Sequence, residues 1–90
     1  MTMVLIDTEK IVVEDHAGDK IVCAMLTSLT VSLISNITQR LSLDAKYELS
    51  DGHFVLYFEN LTQKATDLVD AYIYSLRGLS ESYPENIRFI

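Results

Sequence analysis

Apolar and polar residues alternate along Met3–Asp7 and again along Ile11–Glu14, with Thr8, Glu9 and Lys10 between them. Val4 and Ile6 oppose Leu5 and Asp7 in the first segment, and Ile11 and Val13 oppose Val12 and Glu14 in the second. A period of two predicts two short strands joined by a turn. His16 to Lys20 reads as a loop, punctuated by Gly18. From Ile21 the period lengthens. Val22, Leu26, Leu29, Leu33 and Ile37 fall on one side of a helix reaching about Leu41, with Asp19 as N-cap and Arg40 near the C-terminus. The opposite side holds mainly Ser and Thr, a small uncharged face suited to contact with another helix.

The second half repeats the order of elements without repeating the residues. Ala45–Leu49 and Phe54–Phe58 are predicted strands. Asp51-Gly52 between them is a hairpin signal, because both residue types tolerate positive φ. A helix is expected from about Leu61 to Tyr83. Its stripe is Leu61, Ala65, Leu68, Tyr72, Leu76 and Leu79, with Asn60 and Gln63 as a capping box and Pro84 as the stop. Ile87–Ile90 reads as a closing strand. The expectation is one domain over residues 1–90: an α+β two-layer sandwich in the order ββαββαβ, two helices on one face of a mainly antiparallel sheet.

Composition narrows the functional classes. The chain has 90 residues, 49% of them hydrophobic, which excludes a disordered chain. A domain this small buries about two-thirds or less of its unfolded surface, so a dimer contact would help it. Net charge is −6, against a direct nucleic-acid binder and compatible with a basic polypeptide partner. The uncharged run Ile21–Gln39 raises a membrane span, but Thr27, Ser28, Thr30, Ser32, Ser35 and Asn36 interrupt it, and no membrane association is expected. Acidic residues and a strand pattern before Ile21 argue against a secretory signal. One cysteine excludes an internal disulfide framework and suits a cytoplasmic location. Two histidines and one cysteine offer no zinc-ligand spacing, and no cofactor or metal is expected.

The candidate chemistry lies at the first strand-to-helix junction. Cys23 falls within the first turn or so of the predicted helix, and His16 lies on the loop before it. A helix N-terminus and an imidazolium both favour the thiolate. Such a pair can attack a peptide carbonyl, with the histidine protonating the leaving amine. Asp15 or Asp19 could orient His16, and Thr27, one turn beyond Cys23, could reach the site. Helix-start amides could hold an oxyanion. If Asp19 is the cap the Cys23 amide is spent within the helix; a start one residue later leaves it free. The plain alternative for each residue is packing, capping or solvation, and His53 reads as a hairpin residue.

His16-Ala17 followed by Ile21-Val22-Cys23-Ala24 resembles the signature of the ribosomal-processing cysteine proteases. The resemblance extends through Gly52-His53-Phe54, Ser75-Leu76-Arg77 and Tyr83-Pro84-Glu85-Asn86-Ile87-Arg88, in the family's order. It implies a Cys-His endopeptidase that removes a short N-terminal extension from large ribosomal subunit protein 27, after a pair of phenylalanines. It also implies Cys23 as nucleophile, His16 as general base and acid, and a homodimer formed through helices. The chain departs from the family in three ways. Asp15 stands where glycine is usual before the histidine; only Ala17 to Val22 separate histidine and cysteine; and Lys20 and Thr27 replace a usual aspartate and serine. These departures motivate a second reading, a non-catalytic dimeric ribosome-assembly or protein-binding module with the same fold.

Overall fold

The computed structural model describes residues 1–90. Strands β1 (Thr2–Ile6) and β2 (Lys10–Glu14) lead into helix α1 (Lys20–Ser35). Strands β3 (Tyr47–Ser50) and β4 (His53–Tyr57), helix α2 (Gln63–Ser82) and strand β5 (Ile87–Phe89) follow. The five strands form one sheet in the order β3-β4-β2-β1-β5. Only β1 and β5 run parallel; β1–β2, β2–β4 and β3–β4 are antiparallel. The expected ββαββαβ order and mainly antiparallel sheet are therefore observed.

Strand alternation explains which face the helices cover. Val4, Ile11, Val13, Phe54 and Leu56 point one way and join the core with Val22, Leu26, Leu33, Ala65, Val69 and Leu76 of the helices. The opposite sheet face carries Met3, Leu5, Val12 and Glu14, with His53, Val55 and Tyr57 beside them across the β2–β4 register. Edge strand β3 is exposed at every residue, and the charges of Lys46 and Glu48 guard it against pairing with another chain.

Several boundaries differ from expectation for local reasons. The α-helix ends at Ser35 and continues as a single π-helical stretch, Asn36–Arg40, closed by the Leu41 amide donating to the Asn36 carbonyl at 2.9 Å. Ser42, at φ 52, then turns the chain away. The third strand begins at Tyr47 rather than Ala45. Helix α2 is capped by Thr62, whose hydroxyl accepts from the Ala65 amide at 3.3 Å, and not by Asn60. Asn60 takes a left-handed φ of 61 two residues earlier, and Gln63 bonds Asp67 instead of closing a capping box. Thr30, one of the polar residues interrupting the apolar run of α1, is buried. Its hydroxyl lies 2.8 Å from Tyr72 Oη across the helix–helix contact.

Lys20–Arg40 has the length and apolar composition of a membrane span. Its inward residues Val22, Leu26, Leu33, Ile34 and Ile37 are instead part of the domain core.

Candidate active site

The loop between β2 and α1 is held at several points, and His16 sits among them. Asp15 adopts φ 72, a left-handed conformation natural to glycine. Its amide donates to the Gly52 carbonyl at 2.9 Å, and its carbonyl accepts the Thr2 hydroxyl at 2.8 Å. Ala17 is buried, and its carbonyl accepts the Asn86 side-chain amide at 2.9 Å. With both neighbours fixed, the His16 ring projects outward and stays largely exposed. Gly18, at φ 82, then turns the chain into α1.

The Asp19 carboxylate caps α1, accepting from the Ile21 and Val22 amides at 2.9 and 3.1 Å. The Cys23 amide donates to the Asp19 carbonyl at 2.9 Å. The register left open by sequence is thereby resolved. The amides of Ile21, Val22 and Cys23 are all engaged within the protein, so none of them stands free as an oxyanion donor. Asp19 acts as a cap, not as a partner of His16. Cys23 is half-buried one turn into the helix.

His16 and Cys23 line the same cleft of about 270 Å³ between the hairpin β3–β4 and α1. Thr27, Val31 and Leu49 form its sides, and Phe54 belongs to its floor. Phe54 packs edge-on against Tyr72, ring centroids 5.9 Å apart. Asp15 also borders the cleft, yet its side chain makes no hydrogen bond to His16. No hydrogen bond joins His16 to Cys23. His16 Nε2 faces Asp51 Oδ2 at 3.4 Å instead, at the tip of the hairpin. The ring also rests on Gly52, where an added Cβ would come within 3.0 Å of Nε2.

The contact of Asp51 and Gly52 with His16 was not evident from sequence, nor was the tether through Asn86. Both depend on the pairing of β2 with β4 and β1 with β5, which brings residues distant in sequence to one end of the sheet. His53 does more than begin a strand. Its Nδ1 lies 2.6 Å from Glu14 Oε2 and its Nε2 2.9 Å from Glu48 Oε1. The Glu48 and then the Glu14 carboxylate raise the His53 pKa above its ordinary value. Hydrogen bonds from His53 and Tyr57 in turn lower that of Glu48.

Solved structures that share this fold include the following three. The essential ribosomal-processing protease Prp of S. aureus, in complex with a covalently linked product peptide, superposes with a TM-score of 0.80 at 23% identity, over 98% of this chain and 94% of that one. The same protease with a substrate peptide gives 0.77 at 18% identity, over 99% and 95%. SMU.848 from Streptococcus mutans gives 0.78 at 19% identity, over 98% and 92%. No curated protein matched the chain by sequence. The sequence profile of the cysteine protease Prp family matches residues 3–88, nearly the whole domain, and the chain belongs to that family.

Proposed function

We propose that this protein is a cysteine endopeptidase in which Cys23 is the nucleophile and His16 the general base and acid. The observation that carries the reading is the shared cleft of the two side chains in a member of this family. The Cys23 thiol gives its proton to His16, and the sulfur adds to the scissile carbonyl. His16 then protonates the departing amine, leaving an acyl-enzyme that water hydrolyses. For the first step the His16 ring turns from Asp51 toward Cys23 while staying seated on Gly52, a rotation its exposure permits. Asp51 is a solvated neighbour whose contact with the ring is readily given up. Thr27 offers an uncommitted hydroxyl one turn from Cys23, and the engaged helix-start amides leave it as a donor toward the developing oxyanion.

The substrate of this reading is the N-terminal extension of large ribosomal subunit protein 27. Val31, Leu49 and Phe54 give the cleft apolar walls suited to the phenylalanines of such an extension. An overall charge of −6 suits a basic ribosomal protein. The exposed, uncharged stripe of Ile21, Ala24, Ser28, Val31 and Ser32 on α1 fits a second copy of the chain, and we place the dimer in the cytoplasm.

The test is cleavage of an extension peptide followed by mass spectrometry. The native protein is expected to cut after the phenylalanine pair, and Cys23→Ala to remain folded and inactive. Binding without cleavage by the native protein would reject the protease and favour the non-catalytic module, a reading supported by the contact of His16 with Asp51 rather than Cys23.

A further inference from the structure

The helix-free face of the sheet carries a cluster with no part in the chemistry above. Glu14 of β2, His53 of β4 and Glu48 of β3 form a bridge across three strands, at 2.6 and 2.9 Å. Tyr57 donates to the second oxygen of Glu48 at 2.9 Å. The register creates the arrangement: Glu14 pairs directly with His53, and Glu48 pairs with Val55, diagonal to both His53 and Tyr57. The remaining charges near the cluster are Lys10 and Lys46, whose ammonium groups lie 5.8 and 4.9 Å from the Tyr57 ring, and Asp51 at the hairpin tip. Arg88 lies beyond β1, paired with Met3.

Both ring nitrogens of His53 face carboxylate oxygens. Only the imidazolium can donate to both; a neutral ring has one N–H and would turn a lone pair toward the other carboxylate at under 3 Å. The bridge is therefore closed when His53 is protonated and broken on one side when it is not. His53 directly follows Gly52, which seats the His16 ring, and Asp51, which contacts His16 Nε2 at 3.4 Å.

We propose that His53 is a positioning residue for His16: its bridge between Glu14 and Glu48 fixes the Asp51–Gly52 tip against which the His16 ring rests, and loss of its proton releases that tip. The proposal rests on His16 being the proton carrier of the cleavage reaction. The raised pKa of His53 extends the closed form to higher pH than an ordinary histidine would allow. The sign follows: the stabilisation is complete below about pH 6.5 and is lost as pH rises through the higher folded-state value.

The chain has two histidines, so each can be followed by NMR against pH in the native protein and in Glu48→Gln and His53→Gln. His53 is expected to titrate above the ordinary range. The His16 signals are expected to show, besides their own midpoint, a second inflection at the His53 midpoint. In Glu48→Gln both the His53 midpoint and that second inflection move down together; in His53→Gln the second inflection disappears. A single inflection at His16 in the native protein, or a second one indifferent to Glu48→Gln, overturns the proposal. With the extension peptide, His53→Gln is expected to lower kcat about tenfold with KM within about twofold, as misplacement of a reacting group does. An unchanged kcat also overturns the positioning role. If the native protein does not cleave at all, the protease reading fails, while the NMR coupling still reports on the bridge by itself.

Discussion

The hydrogen bond between Thr30 and Tyr72 couples the helix that carries Cys23 to the helix that supports the floor of the cleft. The hydroxyls are 2.8 Å apart, with Thr30 6% and Tyr72 4% exposed. Thr30→Val keeps the side-chain shape and leaves helix propensity nearly unchanged. It strands a buried phenol, at a cost of about 1–3 kcal/mol, and returns roughly 0.8 kcal/mol through the added methyl. The expected loss is about 1–1.5 kcal/mol. Tyr72→Phe costs less, about 0.5–1 kcal/mol, because the freed Thr30 hydroxyl can turn to a carbonyl one turn back in α1. Removing both groups leaves no orphan, so the double variant should fall short of the sum by about 0.5–1.5 kcal/mol. Urea unfolding measures this directly: for a domain of this size a 1 kcal/mol loss moves the midpoint by about 1 M or somewhat less. A second observable accompanies it. Burial pushes the Tyr72 pKa up to about 12 and the Thr30 hydrogen bond holds it down, so Thr30→Val should delay its ionisation further. Strict additivity of the two variants, or a Thr30→Val protein as stable as the native one, would refute this account of the helix contact.

Two more substitutions probe the loop and hairpin around His16. Asp15→Gly should raise stability by about 0.5–1 kcal/mol in thermal unfolding, since it relieves a left-handed φ of 72 in a non-glycine residue; a loss would show that the Asp15 side chain makes a contribution larger than that strain. Gly52→Ala adds a methyl 3.0 Å from His16 Nε2 at a φ of 67, so it should cost about 1–2 kcal/mol and reduce cleavage by more than its stability loss explains; a fully active variant would show that His16 does not need this seat.

Features set by near neighbours in sequence were legible in the chain. Asp19 caps α1, Asp51-Gly52 turns the hairpin, and the apolar stripe of α1 faces the sheet, each through chemistry confined to a few residues. The cap of α2 was misplaced because Asn60 and Thr62 carry similar capping chemistry two positions apart, and a left-handed φ at Asn60 decided between them. Thr30 interrupts the apolar run of α1, and its partner, a tyrosine 42 positions away, is not visible in local sequence. The surroundings of His16 and His53 were hidden for the same reason. Gly52 reaches Asp15, and Glu14 reaches His53, only after β2 pairs with β4, and no local pattern announces that pairing. Cys23 and His16, suggested by type and spacing, do share a cleft, whereas Asp19 is occupied at the helix cap.

The tether from Asn86 to the Ala17 carbonyl spans 69 residues of chain. A contact of such separation requires the intervening loop to be closed, at an entropic cost. Helix α1 needs no such closure. Until β5 docks, the Ala17 carbonyl lacks this partner and the loop bearing His16 is held at one point fewer. In the proposed mechanism the placement of His16 therefore depends on Asn86 as well as on its own loop. A change at Asn86 would then act on the proposed cleavage without touching either reacting side chain.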